Sequence, residues 1–191
     1  MTRVFAHELG VEYSFEIVAD LLSLEAAHYG GNPALRVPSL RSGDETWFGA
    51  LNVCRQLARL AREPRRVVWP EQLTDCLGAN AQELVLQAMS TEVALIMHGL
   101  GTPADAPVLE KGWRSLRNML SWLDSRWEAV LRGLPAERDV SLLEISAFCL
   151  AEHLDFRLGL PTNGYPALHD FAREFAERPS ARATPYRFDT P

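Results

Sequence analysis

Lysine is almost missing from this chain. Of its 19 basic residues only Lys111 is a lysine, and 25 acidic residues leave a formal charge of −6. No run of basic side chains exists to neutralise a phosphate backbone, which argues against nucleic acid as a partner. Cysteine is scarce as well. Cys54, Cys76 and Cys149 form no CxxC pair and are odd in number, so a reducing, cytoplasmic setting without a disulfide framework is expected. Each lies in an apolar, helix-like context and reads as a small buried hydrophobe rather than a nucleophile. The histidines His7, His28, His98, His153 and His169 show no HExxH or related spacing, and no metal site is expected. No apolar run approaches the ~20 residues that span a bilayer. The first residues hold one early arginine and no long apolar stretch, unlike a secretory signal. What is present is 191 residues, 47% of them hydrophobic, enough to bury a core in one large domain or two small ones.

The chain divides into two unlike parts. Thr2 to Leu9 reads as the end of a helix closed by Gly10, which suits the left-handed position after a helix. Val11, Tyr13, Phe15 and Ile17 then alternate with Glu12, Ser14 and Glu16, the period of a strand with one buried face. A short helix at Leu24 to Tyr29 meets the breaker cluster Gly30-Gly31-Asn32-Pro33. Leu35 to Leu40 reads as a strand interrupted by Pro38, a residue that normally forbids a central strand. The turn Ser42-Gly43-Asp44 leads to Thr46-Trp47-Phe48 as the second arm of a hairpin, and a helix follows from Gly49 to Arg62. Glu63 to Pro70 reads as a linker. Beyond it, helices are expected from Glu71 to Leu100 with a break near Gly78, and from Asp105 to Gly133 after the stop Gly101-Thr102-Pro103. The second carries Trp113, Leu116, Leu120, Leu123, Trp127 and Val130 on one stripe, the spacing of a packed face. Ser141-Leu142-Leu143-Glu144 is a capping box flanked by Val140 and Ile145 as a hydrophobic staple. That helix runs to Leu158 and stops at Gly159; the last spans Tyr165 to Glu177, before an extended Pro- and Thr-rich tail.

This layout resembles the cytosolic glutathione S-transferases. Asn32-Pro33-Ala34-Leu35-Arg36-Val37-Pro38-Ser39-Leu40 is similar to the family's NPxxxVPxL segment. The capping box Val140 to Ile145 follows in order, then Tyr165-Pro166-Ala167-Leu168 through Arg178-Pro179-Ser180, similar to its YPxL…RPS close. Glu144 stands where relatives usually carry Asp. The resemblance implies an α+β, mostly helical chain: an incomplete thioredoxin-like domain over residues 1–66, then an all-helical domain over residues 71–191. It implies a cis Val37-Pro38 bond whose preceding backbone pairs with the cysteinyl part of glutathione. It also implies a homodimer, with Trp47 and Phe48 near the contact.

Two departures bear on activity. The family's opening strand and the Ser, Tyr or Cys after it, which activates the sulfur of glutathione, have no counterpart, so no catalytic residue is assigned; Tyr13, Ser14 and Ser23 do not match that position. The chain reads as starting inside the first helix, leaving a gap in the sheet beside residues 11–17. At the start of the third family helix, relatives carry an acidic residue or Gln followed by Ser to hold the γ-glutamyl group, whereas here Gly49 and Ala50 stand, with Glu45 and Asn52 as nearby substitutes. The expected site is therefore Val37, Pro38, Gly49 and Ala50, with no metal and weak glutathione binding. Two functions are weighed: a non-catalytic or weakly active binding module, and a glutathione-dependent transferase acting on hydrophobic electrophiles, its catalytic residue supplied upstream of Met1. In the second, His98 and Trp113 would help line an apolar pocket.

Overall fold

A computed structural model describes residues 1–101 and 105–188; Thr102 and Pro103 of the expected helix stop lie outside the described residues. The chain forms two compact units, Met1–Arg65 together with the segment from Pro179, and Arg66–Arg178. The expected fold class is seen: a small mixed unit and a mainly helical one.

In the first unit, α1 (Thr2–Glu8) buries Val4, Phe5 and Ala6 and ends before Gly10 at φ +64°. The expected strand at residues 11–17 is not formed. No backbone hydrogen bond among the described residues involves residues 12–19, Val11 being tied only by its amide to the Ala6 carbonyl at 2.9 Å. The segment is nonetheless laid along α1, with Tyr13 edge-on to His7 at 5.8 Å and Phe15 under the Arg3 guanidinium at 4.3 Å. Nor does the alternation give one buried face: Val11 and Tyr13 are half-buried, whereas Phe15 and Ile17 are exposed.

A single 3₁₀ turn, Ala26–Tyr29, stands where a short helix was expected from Leu24 and closes at left-handed Gly30. Asn32 then ties the next loop, its Oδ1 accepting the Ala34 amide at 3.0 Å and its Nδ2 donating to the Arg36 carbonyl at 2.7 Å. The Val37-Pro38 bond is cis. The strand expected from Leu35 begins only after this proline. As β1 (Ser39–Ser42) it pairs antiparallel with β2 (Glu45–Phe48) through a turn with Gly43 at φ +61°. α2 (Ala50–Leu60) buries Val53, Cys54 and Leu57.

The second unit opens with β3 (Val67–Val68), inside the stretch expected to be linker. It pairs in parallel with β4 (Val140–Ser141). α3 (Cys76–Gly99) starts later than expected because Asp75 caps it, accepting the Gly78 amide at 2.8 Å; Gly78 thus belongs to the helix start and breaks nothing. The single helix expected over residues 105–133 is two, α4 (Ala106–Asp124) and α5 (Trp127–Gly133). Ser125 Oγ donates to the Trp122 carbonyl at 3.0 Å, a local bond that competes with helix continuation. Leu116, Leu120, Leu123, Trp127 and Val130 of the stripe are buried, whereas Trp113 is not.

α6 (Leu142–Leu158) is the spine of this unit, with ten buried residues from Leu142 to Leu154, and it ends at left-handed Gly159 as expected. Val140 and Ile145 of the staple are both buried. α7 (Pro166–Ala176) sets Phe171 against Trp127 at 4.9 Å and Phe175 against Phe148 at 4.7 Å. The tail, expected to be extended, first forms a helical turn, α8 (Pro179–Arg182), which packs on α1; Ser180 Oγ donates to the Glu8 carboxylate. All three cysteines are free, but Cys76 is exposed at the first position of α3, contrary to the buried reading.

Candidate functional site

The four expected site residues meet in the first unit. The Gly49 amide donates to the Pro38 carbonyl at 3.1 Å, which joins the cis Val37-Pro38 peptide to the start of α2. Val37, beside the cis bond, is 54% exposed. Gly49 sits at φ +82° and provides no side-chain cap. The first intrahelical bond is Val53 N–H to the Gly49 carbonyl at 2.9 Å. The amides of Ala50, Leu51 and Asn52 therefore have no partner among the described residues, and they lie at the positive end of an 11-residue helix. Such a terminus is suited to a carboxylate or other anion.

The side chains around those amides offer little. Gly49 and Ala50 have no polar atoms beyond the backbone. Glu45 is exposed opposite Ser42 on the hairpin, and Asn52 is exposed on α2. Sequence reasoning missed one donor. The indole Nε1 of Trp47, two residues before Gly49, is buried without a partner, while the Arg59 guanidinium lies over its ring at 5.3 Å. Nothing in the spacing of Trp47 marks it; only the fold of the hairpin on α2 encloses that nitrogen.

Tyr13 and Ser23 are engaged locally. Tyr13 rests against His7, and Ser23 Oγ lies 2.7 Å from His28 Nδ1 while accepting the Glu25 amide at 3.1 Å. No carboxylate stands behind His28 among the described residues, so this exposed pair is a local turn, not a nucleophilic triad.

In the second unit, Trp113 and His98 are the two residues expected to line a pocket. Trp113 lines a shallow groove of about 430 Å³ on the outer face of α4, with Glu110, Arg114, Arg117 and Asn118. Charged side chains stand beside the indole in it: Arg117 lies over the Trp113 ring at 5.7 Å and Arg114 pairs with Glu110 at 2.8 Å. His98, half-buried near the end of α3, does not line it. Deeper in the unit, Glu92 of α3 is 1% exposed, with Oε1 2.9 Å from His153 Nδ1 on α6, an ion-pair distance outside hydrogen-bond angles. Among the described residues no three His, Cys, Asp or Glu side chains are grouped as metal ligands, and no helix is long and apolar enough to cross a membrane.

The whole backbone is similar to that of solved glutathione S-transferases. One from Methylobacillus flagellatus KT, with glutathione bound, superposes with a TM-score of 0.76 at 22% identity, over 96% of this chain and 91% of that one. A second, from Methylobacterium radiotolerans JCM 2831 in complex with glutathione sulfonate, gives 0.73 at 17% identity over 99% and 90%. The chain has the glutathione S-transferase fold. A glutathione transferase from Populus trichocarpa gives 0.63 at 15% identity over 95% and 91%. No family model matches the sequence, and no curated protein matches it. At these identities the likeness carries the fold and leaves function to the site.

Proposed function

We propose that this chain is a binding or interaction module on the glutathione-transferase fold, non-catalytic or weakly active, with a weakened site for glutathione. The observation that carries this reading is the bare start of α2. The residues present fit part of the tripeptide: Val37 beside the cis bond is exposed, and the open amides at residues 50–52 suit a carboxylate. They offer no side chain to the γ-glutamyl group at Gly49 and Ala50. A hydrogen bond to a charged group contributes about 1.5–3 kcal/mol, so its absence weakens binding roughly ten- to a hundredfold.

A second reading, a glutathione-dependent transferase acting on hydrophobic electrophiles, is supported by the retained cis bond and its 3.1 Å link to Gly49. On that reading the sulfur-activating group is none of the residues named above, and an apolar small molecule is the co-substrate. Conjugation of a generic electrophile, assayed with saturating glutathione, separates the two: no turnover above the uncatalysed rate supports the module, and clear turnover supports the enzyme.

We further propose a cytoplasmic homodimer. Along α3, Ala79, Glu83, Leu86, Ser90 and Val93 recur at alternating spacings of four and three residues on the outward face, Leu86 being 37% and Val93 51% exposed. Such a seam matches the packing of one helix against another. Sedimentation velocity at micromolar concentration tests it, a monomer alone being the contrary result.

A further inference from the structure

The chain carries a formal charge of −6, yet the outward face of α4 is basic. Lys111, Arg114 and Arg117 are exposed there, within a rise of about 9 Å, and Lys111 is the only lysine in the sequence. The carboxylates of α4 are Glu110, which pairs with Arg114, and Asp124, which accepts the Leu168 amide at the far end of the helix. Lys111 and Arg117 have no ion-pair partner among the described residues. Arg117 is laid over the half-buried Trp113 indole, and both line the groove with Arg114 and Asn118. Trp and Arg dominate the energetic centres of protein interfaces. Two features ready this face for an anion. Stacking on the ring restrains the Arg117 guanidinium before any partner arrives, which lowers the cost of ordering it. The Arg114–Glu110 pair is exposed on both sides, and pairs of that kind contribute so little that a partner's carboxylate displaces Glu110 easily.

We propose that the outward face of α4 docks an acidic segment of a partner protein, its carboxylates on Lys111, Arg114 and Arg117 and an apolar side chain on the Trp113 indole. Charge complementarity selects this occupant. At physiological ionic strength, screening acts over about 8 Å, so a segment of a few residues meets the local cations rather than the net charge. A nucleic acid extends past the patch onto a chain whose net negative charge repels it. A second copy packed symmetrically on this face sets the same cations against one another. The surface belongs to the second unit and stands independently of the candidate glutathione site in the first.

Fluorescence anisotropy of the dye-labelled, end-capped peptide Glu-Glu-Leu-Glu-Glu-Leu, titrated with the full chain at about 50 mM salt, tests the assignment. It binds at least about tenfold more tightly than Gln-Gln-Leu-Gln-Gln-Leu, and more weakly as salt is raised. An exposed ion pair contributes up to about fivefold, so Arg117→Ala weakens binding by about that factor, and Lys111→Ala/Arg117→Ala by about tenfold or more. Arg132→Ala removes the same charge from α5 and changes the affinity less than about twofold. Unchanged far-UV circular dichroism shows that each variant is folded. Equal binding of the two peptides, no binding below about 1 mM, or equal losses from Arg117→Ala and Arg132→Ala overturns the proposal. So does tighter binding of a single-stranded thymidine hexamer, which assigns the face to nucleic acid. A dimer that Arg117→Ala dissociates in sedimentation velocity assigns it to a second copy and overturns the proposal as well.

Discussion

Substituting Glu144 separates the role its position suggests from the role the structure gives it. In a capping box its carboxylate would return to the Ser141 amide. Instead, Glu144 Oε2 and Oε1 accept from Arg138 Nε at 2.7 Å and Nη2 at 2.8 Å, a two-point pair with both side chains about one-fifth exposed, at 21% and 18%. This hydrogen bond is the main reason the Arg138 guanidinium is held above its ordinary pKa. The Ser141 half of the box remains, its Oγ accepting the Glu144 amide at a long 3.4 Å. Each charge-assisted bond contributes about 1.5–3 kcal/mol before desolvation of the pair is subtracted, which leaves an expected coupling of about 1.5–3 kcal/mol. The long cap contributes about 0.5–1 kcal/mol. A double-mutant cycle of Arg138→Ala and Glu144→Ala, followed by urea denaturation, measures the coupling and cancels the loss of the Arg138 bond to the Pro135 carbonyl. Ser141→Ala in the same assay supplies the cap. A coupling below about 0.5 kcal/mol, or a cap larger than the coupling, would refute the reasoning.

Three further outcomes follow from other sites. Ala50→Ser places a hydroxyl at the start of α2 and is expected to strengthen glutathione binding about tenfold by calorimetry; an unchanged affinity in a folded variant counts against the weakened-site reading. Asp124→Ala removes the acceptor of the Leu168 amide at 3.0 Å, a cap for α7 supplied from the end of α4, and is expected to cost about 1–2 kcal/mol in thermal or urea unfolding. Desolvation, then the neighbouring Asp155, raises the pKa of Glu152, so its folded-state contribution is fully present below the ordinary carboxylate range and is lost as pH rises through the raised value. Glu152→Gln is therefore expected to raise Tm at pH 7 and to leave it nearly unchanged at pH 4, a modest effect for a side chain open to solvent.

The parts of this fold that the sequence displayed are those encoded within a few residues. Gly10 and Gly159 stop their helices at positive φ, the Ser42-Gly43-Asp44 turn closes the hairpin, and α7 buries the four residues its period selects. The parts it concealed depend on distant groups. Residues 11–17 have a strand's alternation but no ladder, because pairing requires a second strand that no local pattern reveals. At the division between α4 and α5 a serine hydroxyl bonds the Trp122 carbonyl, and the α7 cap comes from a residue 44 positions away. The candidate site was legible through a family pattern rather than through chemistry. Its four positions converge through the Gly49–Pro38 bond, while the buried Trp47 indole nitrogen beside them had no sequence signal.

Isothermal titration of the full chain with glutathione addresses the central claim most directly. A weakened site predicts no binding tighter than about 1 mM, or about −4 kcal/mol. A sub-millimolar Kd would contradict it and would move the reading toward the transferase.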